Sequence, residues 1–160
     1  VLSNKKEAYG LVRAKKAKIP TVIIEHDNFK KREDFDDALV ESLEKYKPDL
    51  IVLAGFMRIL TPNFIKPYRG KLINIHPSLL PKYPGAHAHR DALADGATES
   101  GCTIHFVEVG VDSGPIIAQG EVPILPGDDE QSLTARVKTI EHILYPQVVD
   151  ELAKGNIKSP

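Results

Sequence analysis

Sulfur-containing and aromatic side chains are scarce in this sequence of 160 residues. Tryptophan is absent, and Cys102 is the single cysteine. One cysteine excludes an internal disulfide, and a protein without disulfides fits a reducing compartment. The expected location is therefore the cytoplasm.

An excess of charge and a long apolar run are also missing. The 21 basic and 22 acidic residues are interspersed and give a net charge of −1, so no patch is expected for a duplex nucleic acid or an anionic membrane. No apolar run approaches the roughly 18 residues of a membrane span. Neither a glycine-rich phosphate loop nor a G-x-S-x-G elbow occurs. We expect neither a nucleic acid nor a membrane as partner.

The apolar residues that are present indicate alternating strands and helices. They recur at helical spacing from Arg32 to Tyr46, and the continuous run from Leu50 to Ala54 is typical of a strand covered on both faces. With 42% hydrophobic residues, the chain is long enough for one domain with a sizeable core. The order of segments predicts an α/β, Rossmann-like domain with a mostly parallel sheet flanked by helices.

The second half of the chain predicts a different pairing. Residues 102–109 alternate like a half-buried strand, and residues 116–124 form the strand that returns from a tight loop. This pair is expected to be antiparallel. A long apolar seam then runs from Leu133 to Leu152 on the last helix, which Pro146 is expected to kink.

The stretch from Lys71 to Gly85, KLINIHPSLLPKYPG, carries the first candidate site. Asn74 and His76 lie two apart in a strand, so their side chains project to the same face, and Pro77 ends the strand. Open α/β sheets gather ligands beyond the carboxyl ends of their strands. An amide and an imidazole at such an end could stabilise an oxyanion and move protons. The alternative is a strand-to-loop junction whose polar residues satisfy local backbone groups.

Asp112 is the best candidate for a partner of His76. It lies in the loop from Gly110 to Pro115, and topology brings that loop near the same edge. A carboxylate beside an imidazole favours the charged ring, which can donate to a carbonyl oxygen that is becoming negative. The alternative is an ordinary turn aspartate, which Asp-Ser-Gly-Pro chemistry also produces.

The remaining reactive side chains form weaker patterns. His87, His89 and His105 could join in binding a metal, but no acidic or cysteine ligand has a suitable spacing. Cys102 has no evident base, so a small buried residue is expected there rather than a nucleophile. No metal is expected.

The motifs resemble a known family. Residues 74–81, NIHPSLLP, and Asp112 before Ser-Gly-Pro resemble the formyltransferases that use 10-formyltetrahydrofolate. The segment LAGFMRIL at residues 53–60, the run HPSLLPKYPG and the pair Glu141-His142 are most similar to the branch that formylates glycinamide ribonucleotide in purine biosynthesis. The resemblance covers essentially the whole chain.

The resemblance implies a direct transfer of formyl from the folate N10 to the amine of glycinamide ribonucleotide, with 10-formyltetrahydrofolate as co-substrate and without a metal. Asn74 and protonated His76 would stabilise the oxyanion, and Asp112 would keep His76 charged. The folate-binding residues would be Arg32, Met57, Arg58, Ile59, Leu60, Asn74, Glu108, Val109, Gly110, Val111 and Asp112. The ribonucleotide-binding residues would be Lys138, Thr139, Ile140 and Glu141.

The start of the chain differs from the pattern of the family. It implies that residues 1–160 are a single catalytic domain that lacks the family's first strand and phosphate loop, with a complementing N-terminal fragment as a possible partner. Two other functions stay open. One is a 10-formyltetrahydrofolate hydrolase, with water as acceptor, and the other is a non-catalytic folate-binding fragment.

Overall fold

The alternating strand and helix patterns of the sequence form six strands and five α-helices in the computed structural model, which describes residues 1–160. The residues divide into two compact units. The first unit is Val1–Pro48 with Leu60–Lys66, and the second is Asp49–Ile59 with Pro67–Pro160. No helix combines the length and the apolar character that crossing a lipid bilayer requires.

The first unit packs its helices through the stripe that the sequence predicts. Its elements are β1 (Leu2–Ser3), α1 (Tyr9–Lys16), β2 (Val22–Ile23), a 3-10 turn (His26–Asn28), α2 (Arg32–Glu44) and α3 (Pro62–Ile65). The two strands pair in parallel. Phe35 and Leu39, one turn apart on α2, are buried because they lie on the apolar face of the helix. The rings of His26 and Phe29 meet Phe35 edge to face.

A buried carboxylate ties α2 to α3. Asp36 is 2% exposed, and its Oδ2 accepts a hydrogen bond of 2.6 Å from the backbone N–H of Thr61. The Thr61 hydroxyl in turn accepts from the backbone N–H of Phe64 and caps α3. A buried charge needs such partners, so Asp36 belongs to the inner face of α2 although it is acidic.

The second unit contains the larger sheet. Its elements are β3 (Ile51–Leu53), β4 (Leu72–His76), α4 (Ala88–Ala94), β5 (Glu99–Phe106), β6 (Ile116–Pro123) and α5 (Glu130–Ala153). The strand order is β3-β4-β5-β6. The β3–β4 pair is parallel, and the β4–β5 and β5–β6 pairs are antiparallel. The expected antiparallel pair is β5–β6, and the β4–β5 pair is antiparallel as well. Because β5 starts at the edge where β4 ends, their connection stays at that edge.

One face of this sheet packs against α5. Cys102 of β5 forms a buried cluster with Leu133 and Val137, and six partly buried residues surround them. Gly120 of β6 lets α5 come close, since a Cβ atom there would lie 2.6 Å from Cγ1 of Ile140. The apolar face is thus covered by the helix, and the polar side chains of β4 and β5 occupy the opposite face.

The ends of α5 are fixed by polar contacts. Asp129 and Ser132 form a capping box at its start. Hydrogen bonds from the Arg136 guanidinium to Asp128 hold the pKa of that carboxyl well below its ordinary value. In the second half of the helix, the Tyr145 hydroxyl donates to the carbonyl oxygen of Leu53 at 2.7 Å. Pro146 lies inside the helix, and the kink expected there stays a prediction.

Candidate active site

The polar face of the larger sheet brings together four side chains from two strands. In the β4–β5 register, Asn74 lies opposite His105 and His76 lies opposite Thr103. Residues two apart on a strand share a face, so these four side chains point to one side of the sheet. Ile75, between Asn74 and His76, packs against the apolar cluster below α5.

His76 is almost completely enclosed, with 4% of its surface exposed. Its Nδ1 lies 3.3 Å from Oδ2 of Asp112, and its Nε2 lies 2.9 Å from the carbonyl oxygen of Tyr83. A ring with protons on both nitrogens donates to both acceptors, whereas a neutral ring serves only one. The proximity of His76 and Asp112 that the topology predicts is confirmed by this contact.

Asp112 is held in place by backbone conformation and by a second partner. Its φ of +46° lies in the left-handed region, which aspartate tolerates better than most residues. Its Oδ2 accepts a hydrogen bond of 2.6 Å from the backbone N–H of Gly85. The loop also passes very close to β5 at Gly114, where a Cβ atom would lie 2.1 Å from the carbonyl oxygen of Phe106. The carboxylate is therefore fixed between two loops, which an ordinary turn aspartate does not require.

Thr103 fastens the loop that follows β4 to this face. Its hydroxyl donates to the carbonyl oxygen of Ser78 at 2.7 Å and accepts from the backbone N–H of Leu80 at 2.9 Å. Gln119 of β6 donates to the carbonyl oxygen of Leu80, also at 2.9 Å. These bonds fix the loop whose Tyr83 carbonyl faces His76. Thr103 and Gln119 are not among the residues predicted from the sequence, because only the strand pairing shows that they share the face of His76.

His105 contacts Asn74 instead of joining a metal site. Its Nε2 lies 3.4 Å from Nδ2 of Asn74, and its Nδ1 lies 2.9 Å from the carbonyl oxygen of Phe106. The ring is 2% exposed. No group of three or more His, Cys, Asp or Glu side chains is arranged to hold a metal ion.

Cys102 lies in the core, as the sequence analysis expects. It is fully buried among apolar side chains. Burial is the main cause that raises the pKa of its thiol to about 11, so the thiolate, the nucleophilic form, is scarce at neutral pH.

The expected folate-binding residues fall in both units. In the second unit, Met57, Ile59, Val109 and Val111 leave more than half of their surface exposed. Single exposed apolar residues are common, so the exposure of these four leaves their folate contact a prediction. In the first unit, Arg32 is exposed at the start of α2, and Leu60 is in the core with 7% of its surface exposed. In the second unit, Arg58 is next to Met57 in the sequence, and Glu108 pairs with Arg69 at 3.3 Å. Gly110 has a φ of +136°.

The expected ribonucleotide-binding residues divide between two faces of α5. Lys138 and Glu141 lie one helical turn apart, and the charges of both His76 and Lys138 act on Glu141. Burial is the main cause that raises the pKa of Glu141. Thr139 donates its hydroxyl to the carbonyl oxygen of Ala135 within the helix. Ile140 packs on the core cluster.

His89 of α4 is also close enough to His76 and Lys138 for their charges to act on it. Burial is the main cause that lowers its pKa, the charges of His76 and Lys138 lower it further, and Glu130 opposes them. Its Nδ1 is buried without a hydrogen-bond partner. From the sequence, His89 is a surface or loop-packing residue or, less favoured, a metal ligand, and its position beside α5 depends on tertiary packing.

Comparison with known proteins identifies the family. The sequence pattern of the family described as Formyl transferase matches residues 1–149. The chain belongs to the formyl transferase family. This formyl transferase is 51% identical over 158 residues to the phosphoribosylglycinamide formyltransferase of Escherichia coli K12, an alignment that covers 99% of the chain and 74% of the relative.

Two further relatives agree with this family. The trifunctional purine biosynthetic protein adenosine-3 of Drosophila melanogaster is 52% identical over 155 residues, which are 97% of this formyl transferase and 12% of that much longer protein. The solved structure of the phosphoribosylglycinamide formyltransferase from Coxiella burnetii superposes with a TM-score of 0.93 at 48% identity, covering 100% of this chain and 75% of that one. The α/β formyltransferase fold expected from the sequence is thereby confirmed.

Proposed function

We propose that this formyl transferase transfers a formyl group from 10-formyltetrahydrofolate to the amine of glycinamide ribonucleotide in de novo purine biosynthesis. The relatives named phosphoribosylglycinamide formyltransferase, which match nearly the whole chain, support this activity. The observation that carries the chemistry is the meeting of Asn74, His76 and Asp112 at the carboxyl end of β4. An amide donor, an imidazole and a carboxylate thus lie at one edge of the sheet.

The reaction needs donors for a developing oxyanion. The amine nitrogen attacks the formyl carbon, and the carbonyl electron pair moves to the oxygen. Asn74 Nδ2 and a protonated His76 then donate to that oxygen, and each such donor is typically worth ~2.7–4 kcal/mol of the barrier. When the intermediate collapses, the bond from carbon to the folate N10 breaks and N10 takes up a proton. The attacking amine loses a proton in exchange.

The ring of His76 lies between two acceptors, with Oδ2 of Asp112 3.3 Å from Nδ1 and the Tyr83 carbonyl oxygen 2.9 Å from Nε2. A ring with a proton on each nitrogen can release one proton to the folate N10 while the other nitrogen keeps its acceptor. Asp112 stabilises the charged ring before transfer and assists in relaying the amine proton afterwards.

Different elements of the fold contact the two substrates. The exposed apolar residues at 57, 59, 109 and 111 of the second unit are the proposed contacts of the pterin, and a folate contact by Arg32 and Leu60 of the first unit stays a prediction. Glu141 orients the amine of the ribonucleotide, and Lys138 on the same helical face adds a positive charge for its polar groups. A single-domain organisation of residues 1–160, a phosphate loop outside them, a complementing fragment and a cytoplasmic location stay predictions.

A turnover assay tests the activity. Purified protein given 10-formyltetrahydrofolate should release tetrahydrofolate only when glycinamide ribonucleotide is present. Equal release without the ribonucleotide would support the hydrolase, and folate binding without any release would support the non-catalytic fragment. His76→Ala should lower kcat by roughly 100-fold or more while the Kd for a folate analogue changes little. Turnover like that of the wild type in this variant would remove His76 from the mechanism.

A further inference from the structure

The side-chain amide of Asn74 is contacted by a histidine that lies directly opposite on the neighbouring strand. Asn74 Nδ2 and His105 Nε2 are 3.4 Å apart, and the two residues are partners in the β4–β5 register. His105 is 2% exposed, whereas Asn74 is half-buried. The contact therefore joins a residue open to substrate with one that is enclosed by the fold.

The second nitrogen of His105 determines which tautomer the ring adopts. Nδ1 lies 2.9 Å from the carbonyl oxygen of Phe106. A carbonyl oxygen only accepts hydrogen bonds, so Nδ1 must carry the hydrogen. In the neutral ring, Nε2 then has a lone pair and no hydrogen. This lone pair faces Asn74.

The lone pair in turn determines how the Asn74 amide is oriented. An acceptor at Nε2 requires a donor opposite it, so the NH2 group of Asn74 faces His105 and the amide oxygen lies on the other side. One of the two Nδ2 hydrogens is used by His105, and the second is left for another acceptor. An oxyanion forming at this face therefore meets a hydrogen-bond donor.

Without His105 the amide would lack this preference. The terminal torsion of asparagine is broad and roughly two-fold, so the NH2 group and the oxygen exchange places at little cost. The exchanged amide presents a lone pair to the developing oxyanion, which repels it. Catalysis by oxyanion stabilisation depends on donors that are already oriented.

We propose that His105 is a positioning residue that holds the NH2 group of Asn74 toward the reaction centre. The hydrogen-bond chain runs from the Phe106 carbonyl through both nitrogens of the His105 ring to the Asn74 amide. The proposal rests on the proposed formyl transfer for its consequence, while the orientation itself is a property of the protein without substrate.

Two substitutions separate positioning from packing. In His105→Gln the side-chain oxygen can reach the place of Nε2 and keep an acceptor for Asn74, whereas His105→Leu fills similar space without one. We expect His105→Leu to lower kcat by roughly 10- to 100-fold with little change in the KM for the folate donor, and His105→Gln to recover most of the loss. Equal losses in the two folded variants would show that His105 only fills space, and would overturn the proposal.

A double-mutant cycle tests whether His105 acts through Asn74. In an Asn74→Ala background there is no amide to orient, so adding His105→Leu should lower kcat no further. If the two losses instead multiply, the proposal is wrong. Far-UV circular dichroism and the unfolding temperature show which variants have kept the fold.

The tautomer of His105 can be measured in the wild-type protein without any turnover. Nitrogen-15 chemical shifts of the His105 ring in the wild-type protein, assigned by comparison with His105→Gln, should place the hydrogen on Nδ1 and none on Nε2. A hydrogen on Nε2 would overturn the proposal whatever the activity. The expected tautomer in a protein without formyl transfer would instead leave the orientation intact and remove the proposed function.

Discussion

The backbone nitrogen of Gly85 lies 2.6 Å from Oδ2 of Asp112, the same oxygen that faces Nδ1 of His76. Gly85 lies in the loop between β4 and α4, and Asp112 lies in the loop between β5 and β6. A single carboxylate oxygen thus joins two loops and the imidazole ring of His76. Because an enclosed carboxylate requires several polar partners, the position of Asp112 depends on both Gly85 and His76.

Replacing Asp112 with asparagine tests the charge apart from the shape. Asp112→Asn keeps an oxygen that can accept from Gly85, but it removes the negative charge that, in the proposed mechanism, stabilises protonated His76. We expect kcat to fall by roughly 100-fold, with little change in the Kd for a folate analogue. The matched control is Asp34→Asn on the exposed face of α2, which should leave kcat unchanged. A similar kcat for Asp112→Asn and the wild type would show that the charge is not used.

The charged carboxylate of Glu141 should lower the free energy of unfolding at neutral pH. Burial raises the pKa of its carboxyl, so the folded state holds this proton more tightly than the unfolded state does. The stabilising effect of the proton is complete below the unfolded pKa, which is ordinarily about 4.3, and it is lost as the pH rises through the folded value. Glu141→Gln should therefore increase the free energy of unfolding by ~0.5–2 kcal/mol at pH 7 and by nothing near pH 4.

Urea unfolding at both pH values, combined with kinetics, checks this expectation. Glu141→Gln should also raise the KM for glycinamide ribonucleotide, because the amide no longer attracts the amine as a carboxylate does. Glu44→Gln at the exposed end of α2 is the control and should change neither quantity. A variant less stable than the wild type at pH 7 would show that Glu141 forms favourable contacts that outweigh its burial.

The close approach of α5 to β6 predicts opposite effects of two glycine substitutions. A Cβ at Gly120 would lie 2.6 Å from Ile140 Cγ1, whereas a Cβ at Gly10 of α1 meets nothing within 4 Å. Gly120→Ala should cost about 1–3 kcal/mol of stability through overpacking. Gly10→Ala should stabilise the protein by up to about 1 kcal/mol, because alanine favours a helix. Chemical unfolding measures both, and a neutral Gly120→Ala would mean that the helix moves away freely.

The local part of the site could be predicted from the sequence. Asn74 and His76 share a face because strand side chains alternate, which needs no tertiary information. The apolar seam of α5 also indicated that Ile140 faces the core, although the resemblance placed it among the ribonucleotide-binding residues. A contiguous run on a helix cannot face one ligand, because successive side chains are turned by about 100°.

The cross-strand part of the site could not be predicted in the same way. Thr103 and His105 meet residues of β4 only in one register, and a shift of one residue would turn both to the opposite face. The acceptor opposite His76 Nε2 is a backbone carbonyl, that of Tyr83, and every residue has one. Sequence chemistry therefore finds the groups that react, while strand pairing and loop conformation determine which groups orient them.

Thr103 offers the most direct test of how the fold supports the site. Its fully buried hydroxyl serves Ser78 and Leu80 of the loop after β4 and also accepts from Gln119. Thr103→Val keeps the shape but leaves these groups unpaired, at a cost of about 1–3 kcal/mol for each one that water cannot reach. Thr103→Ser retains the hydroxyl and is the matched control. Because the loop carries the Tyr83 carbonyl that holds His76, Thr103→Val should lower kcat as well as stability. A loss of stability with an unchanged kcat would show that His76 keeps its orientation through Asp112 alone.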